Sequence, residues 1–182
     1  MVNVHLEDNE RIVRPLRQQR GCLMKNFMDD QDFLLSTKTG EELFHNFAEG
    51  MPIVDYHCHI SPKEIWDDKR FENITEVWLG GDHYKWRLMR ANGVDERFIT
   101  GDAPAREKFQ KWAETLGRCV GNPVFEWSHL ELKRYFGYEG VLNGKTAQEV
   151  WDLANAKLAE ASFTCRNPVS YTHLTLPTTS RA

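Results

Sequence analysis

Apolar residues recur at helical spacing through the middle of the chain, and most of these runs are bracketed by residues that start or stop a helix. Five helices are predicted. The first opens on Thr39-Gly40-Glu41-Glu42, a capping-box pattern, continues through Leu43, Phe44 and Phe47, and stops at Gly50. The second covers residues 82–92, with Asp82 as N-cap, Trp86 and Met89 three apart, and Gly93 as a left-handed terminator. The third takes Asp102 and Pro104 as start signals and carries a stripe of Phe109, Trp112, Ala113, Leu116 and Val120 that reads as core. The fourth begins at the capping box Ser128-His129-Leu130-Glu131 and closes at Gly137, with Trp127 and Phe136 as core aromatics. The fifth begins at Thr146-Ala147-Gln148-Glu149 and buries Val150, Trp151, Ala154 and Leu158.

One segment has a different pattern. Pro52-Ile53-Val54 is a short apolar run leading into Asp55-Tyr56-His57-Cys58-His59, which predicts a strand over residues 52–59. In a strand, residues i and i+2 share a face with Cα atoms about 6.6 Å apart, so His57 and His59 can converge on one cation at about 2.1 Å each. Two imidazoles make half a metal site, because structural zinc takes four protein ligands and catalytic zinc three plus water. The alternative is two strand-end histidines bonded to carbonyls or solvent. A lone strand also leaves its backbone groups without partners, so it needs pairing from elsewhere in the fold.

Composition narrows the function classes. The chain has 182 residues, 41% hydrophobic and 27% charged, the profile of a soluble globular protein large enough for a real core. A formal charge of −4 and a pI near 6.0 give no reason to expect nucleic acid or an anionic membrane as partner. No apolar run reaches the ~18 residues that suggest a membrane span, and no secretory signal opens the chain, so a cytoplasmic protein is expected. Cys22, Cys58, Cys119 and Cys165 form no C-x-x-C pair and are expected to be reduced thiols. Residues 1–23 hold Arg11, Arg14, Arg17 and Arg20 without an apolar face and read as a disordered or upstream leader before Met24. Residues 168–182 are Thr-rich, break from the preceding helical pattern and read as a foreign tail. No internal repeat is present.

Three stretches carry a resemblance: DYHCHISP at 55–62, GGDHYKWRLMRANG at 80–93 and NPVFEWSHLELKRYFG at 122–137. In order and spacing they resemble the uronate (glucuronate) isomerase family, over residues 24–167. The resemblance implies an α/β parent of the amidohydrolase superfamily, a distorted (β/α)8 TIM barrel. Residues 52–59 would be its first strand, and the helical stretch after Gly93 an inserted helical region. The fragment itself is then mainly α-helical with the first barrel strand. Sites in such barrels lie at the C-terminal ends of strands, where His57 and His59 fall.

The implied activity is interconversion of D-glucuronate with D-fructuronate and of D-galacturonate with D-tagaturonate, in hexuronate catabolism. The implied cofactor is a divalent metal, zinc by first choice, on His57 and His59. Tyr84 matches a tyrosine near the substrate and is the candidate for proton transfer, with His83 beside it in substrate binding; the alternative is a half-buried aromatic and a solvated histidine on a first helical turn. Lys85, Arg87 and Arg90 lie close together, either near a uronate carboxylate or on a solvated face. His129 and Glu131 receive no catalytic role. The partner is a small sugar acid, with no nucleic acid and no membrane, and the full-length parent is compatible with a homo-oligomer. The later aspartate ligand and carboxylate-clamping arginines of the family have no match here, so the fragment is expected to be inactive. Two rival readings are a metal-dependent hydrolase of the same superfamily and a noncatalytic helical module presenting Phe109, Trp112 and Leu116 to a partner.

Overall fold

The structure, a computed structural model, describes residue 28, residues 32–52 and residues 62–165. Among these residues every regular element is helical. They are α1 (Lys38–Leu43), α2 (Pro62–Trp66), α3 (Ile74–Leu79), α4 (His83–Ala91), α5 (Ala105–Leu116), α6 (Pro123–Glu131) and α7 (Ala147–Leu158). A π-helical turn extends α1 over Phe44–Ala48 and another extends α6 over Leu132–Phe136, and a 3-10 turn spans Glu96–Phe98. The strand expected at residues 52–59 falls, apart from Pro52, outside the described residues.

The core is built around α5. Phe109, Trp112, Ala113 and Leu116 recur at three- and four-residue spacing and are fully buried, facing α3, α4 and α7. Trp78 of α3 stacks on Phe109 at 6.1 Å, and Trp151 of α7 meets the same ring at 5.5 Å. Val150, Ala154 and Leu158 of α7 are buried, and Trp151 packs at the rim. Long-range hydrogen bonds lock these elements together. Asn155 Oδ1 of α7 accepts the Ile74 amide at the start of α3 (2.9 Å), and the Lys69 carbonyl accepts the Cys165 amide (3.1 Å).

Caps explain where the helices begin, and several differ from the expectation. The first helix is capped by Thr37, whose hydroxyl accepts the Gly40 amide at 3.0 Å, and not by Thr39, which lies inside it. The fourth helix starts at Pro123, five residues before the Ser128 capping box, because Asn122 caps it and proline fits the first turn. Ser128 and His129 are consequently mid-helix and buried. Thr146 precedes α7 but donates to the Val141 carbonyl and accepts the Asn143 amide, so it organises the loop and makes no side-chain cap. Helix α5 ends at Leu116, so Val120 drops off the stripe and is 77% exposed. Trp127 is one residue off the inward row of α6 and is exposed too. Phe136 is buried. Helices α2 and α3 were not anticipated, being five and six residues long with too few turns to show a period.

Candidate functional site

The turn joining α3 to α4 sets the position of the expected site residues. Gly80 ends α3 with its amide on the Glu76 carbonyl, and a Cβ there would stand 2.4 Å from that oxygen, so the chain can bend this tightly only at glycine. Asp82 then caps α4: its Oδ1 accepts the amides of Tyr84 (2.9 Å) and Lys85 (3.3 Å). Gly93, at φ +77°, closes the same helix in the left-handed conformation. This span, residues 80–93, is the stretch whose capping signals were read from the sequence.

On the first turn of α4, Tyr84 is 46% exposed. Its ring lies 4.4 Å from that of His83 with planes 30° apart, and the Arg87 guanidinium sits 5.9 Å from the Tyr84 centroid, within cation–π reach. The structure thus brings His83, Tyr84 and Arg87 together on one outward face. It also sorts the three neighbouring cations. Lys85 is 8% exposed and its ammonium donates to Asp82 Oδ2 at 2.5 Å, which corrects its assignment to a solvated face. Arg90 forms a two-pronged pair with Glu96 (2.8 and 2.5 Å), and that pair holds the Glu96 carboxyl down at about 2. Arg87 is left beside Tyr84.

Beneath this face lies a polar cluster. The Trp78 indole N–H donates to Glu131 Oε2 at 2.6 Å, and the Lys85 ammonium lies 5.9 Å from the Trp78 ring. Burial pushes the Glu131 carboxyl up, opposed by the Lys85 charge and the Trp78 hydrogen bond. Burial also raises Asp82, but the Lys85 hydrogen bond and charge and the two α4 amides outweigh it, so its carboxyl ends below the usual range. Glu131 is therefore no helix-start cap, as the capping-box pattern suggested; it ends α6, half-buried, with its carboxyl on the Trp78 indole.

His129 is buried for a different reason. Its Nδ1 donates to the Phe125 carbonyl at 2.6 Å, and its Nε2 accepts the Leu142 amide at 2.9 Å, so the neutral ring ties the 138–146 loop to α6. Burial lowers its pKa. A shallow cleft of about 230 Å³ runs along α3, lined by Glu72, Thr75, Glu76, Leu79, Ile99 and Lys108, and takes in neither His83 nor Tyr84.

The expected metal ligands His57 and His59 lie outside the described residues. Among the described residues no group of three or more His, Cys, Asp or Glu side chains is placed to hold a metal ion. The polar cluster was not anticipated either. Its only signal in the sequence was a lysine at the inward position of α4, four residues before Met89.

The solved structures that this helical unit matches are amidohydrolase-like TIM-barrel proteins, and the described residues form a helical part of that fold. The sequence model of glucuronate isomerase matches residues 24–180, and the chain belongs to that family. It is 67% identical over 153 residues to a uronate isomerase of Lachnospira eligens, covering 84% of this chain and 32% of that protein. A uronate isomerase of Endomicrobium trichonymphae is 61% identical over the same shares. The crystal structure of uronate isomerase from Thermotoga maritima superposes with a TM-score of 0.72 at 38% identity, over 79% of this chain and 31% of that one. Glucuronate isomerase from Caulobacter crescentus, at 23% identity over 69% of this chain and 28% of that one, shares the fold with a TM-score of 0.64. The chain thus spans about a third of the length of the curated relatives it matches.

The rival readings are not favoured. The matched relatives named here are uronate isomerases, not hydrolases. The stripe offered to a partner by a noncatalytic module is sealed, with Phe109, Trp112 and Leu116 all at 0% exposure.

Proposed function

We propose that a protein of full family length carrying this chain interconverts aldose and ketose hexuronates, D-glucuronate with D-fructuronate and D-galacturonate with D-tagaturonate. The 67% identity to a uronate isomerase across most of the chain carries this reading. The exposed Tyr84 on a tightly held first turn supports the placement of proton chemistry there.

The reaction removes the proton on C2 and protonates the C1 oxygen, giving an enediol. The enediol then loses its O2 proton and gains one at C1, so no atom is gained or lost overall. Each half needs a group that exchanges a proton with, or hydrogen-bonds, the two adjacent oxygens as they change order. Tyr84 is the candidate for this role, since a phenol both donates and accepts. His83, with its ring against Tyr84, and Arg87, over the same ring, are the candidates for contact with the sugar acid, a reading that their closeness to Tyr84 supports. Arg87 suits a carboxylate because a guanidinium binds it through two parallel hydrogen bonds. A divalent metal, zinc by first choice, on His57 and His59 belongs to the same reading; bound, it would offset negative charge on substrate oxygens.

Among the described residues no helix is long and apolar enough to cross a membrane. A cytoplasmic location and a homo-oligomeric full-length protein belong to the same reading. The test is ketose formation from D-glucuronate and D-galacturonate by the full-length protein and by the 182-residue chain. The reading expects turnover by the first and none by the second. No turnover by a folded, metal-loaded full-length protein would reject it.

A further inference from the structure

The polar cluster beneath the Tyr84 turn plays no part in the chemistry just described, yet it occupies space that the surrounding core fills with apolar side chains. Lys85 is 8% exposed and Met89, one turn on along the same face of α4, is fully buried. Ionised groups taken out of water lose hydration that their mutual attraction only partly restores, and apolar side chains of similar volume hold such positions equally well or better. If α4 needed cohesion alone, a methionine at 85 and another at 131 would provide it.

The cluster provides direction. Asp82 accepts from the Lys85 ammonium through Oδ2 and from the backbone amides of Tyr84 and Lys85 through Oδ1. The ammonium also lies over the Trp78 indole. The Asp82 pair belongs to α4 itself and turns with it; what ties the first turn to α3 is the Trp78 ring beside the Lys85 ammonium, together with the Trp86 indole N–H that donates to the Leu79 carbonyl (2.8 Å). Trp78 is held in turn by Glu131, reaching from the end of α6 to the indole N–H. Tyr84 immediately precedes Lys85 and faces outward where Lys85 faces inward, so the direction of the phenol follows from the roll of this turn, to which the Lys85 contact on Trp78 contributes.

We propose that Glu131 and Lys85 are positioning residues for the isomerisation: the chain Glu131, Trp78, Lys85, Asp82 runs from α6 through α3 to the α4 cap and holds Tyr84 and His83 in one orientation toward the sugar acid. The inference rests on the hexuronate isomerase reading and adds two residues that touch no substrate.

The test compares wild type, Glu131→Gln and the double variant Lys85→Met with Glu131→Met. Each is measured as full-length protein for kcat, KM and Tm, and as the 182-residue chain for hydrogen exchange at the Tyr84 amide. The double variant is expected to keep its Tm within a few degrees and its KM within about twofold while kcat falls at least about tenfold, since small misplacements of a reacting group are costly. Its Tyr84 amide is expected to exchange at least about tenfold faster, as a loosened turn opens more often. Glu131→Gln keeps an acceptor for the indole and loses the charge facing Lys85, so it should fall between the two, and it carries the test if the double variant does not fold. Unchanged kcat and exchange overturn the proposal, as does a loss of kcat that only tracks a loss of Tm. If the wild type forms no ketose, the isomerase reading fails, and exchange at Tyr84 alone decides whether the cluster positions this turn.

Discussion

Residues 74–158 bury most of their large apolar side chains, while the described residues of 34–52 and 62–66 leave most of theirs exposed. In the first region Ile74, Met89, Phe109, Trp112, Leu116, Leu132, Leu142 and Val150 have no solvent exposure at all. In the second, Leu34, Leu43, Phe47, Met51 and Trp66 are each more than half exposed, Trp66 at 78%. The periodicity of a segment predicts that it has an apolar face, and only the fold decides whether that face is covered. Helices α3 to α7 cover one another, with hydrogen bonds such as Ile74 to Asn155 closing the unit. Helix α1 packs chiefly on its own π-turn, and its face toward Leu43 and Phe47 is uncovered by any described residue.

The sharpest way to break this comparison is a pair of tryptophans. Trp112→Ala in the sealed region should cost about 3–5 kcal/mol, enough to threaten folding, because it empties a large site that its neighbours cannot refill. Trp66→Ala should change stability by no more than about 0.5 kcal/mol. Urea unfolding of both variants checks the contrast, and equal losses would erase it.

The next effect concerns His129. Its neutral ring satisfies the Leu142 amide, so His129→Ala should cost about 1–3 kcal/mol for the buried N–H left unpaired, before any loss of packing. Because burial lowers its folded pKa below the ordinary 6.5, the unfolded chain takes up the proton first. The stabilisation is therefore complete above pH 6.5 and declines as the pH falls below it, and the acid slope of Tm should flatten in the alanine variant. A smaller effect is expected at the caps. Asn122→Ala should cost about 1 kcal/mol, since Asn122 caps a helix whose interior is packed. Thr37→Ala, on the exposed α1, should weaken local helicity with little effect on global unfolding.

Legibility in the sequence followed the same division. Helices α4, α5 and α7 were readable because each spans nine or more residues and carries a periodic apolar row. The start of α6 was misread because Ser128-x-x-Glu131 has the spelling of a capping box, while the cap used is Asn122 ahead of Pro123. Local patterns name candidate caps, and tertiary burial chooses among them. At the candidate site, Asp82 as cap and Gly93 as terminator were readable, and with them the helix that presents His83 and Tyr84. The inward turn of Lys85 and its link to Glu131 through Trp78 were not, because Glu131 lies far along the chain from Trp78 and Lys85 and only the packing of α3, α4 and α6 brings them together.

The most direct test of the account is Tyr84→Phe in a protein of full family length, with conversion of D-glucuronate followed by proton NMR. Loss of the phenol should leave Tm unchanged, because Tyr84 lies at the surface, and lower kcat by about 10²–10⁴, the usual loss when a proton-transferring group is removed. A folded variant that turns over D-glucuronate at the wild-type rate would contradict the placement of the reaction at the first turn of α4.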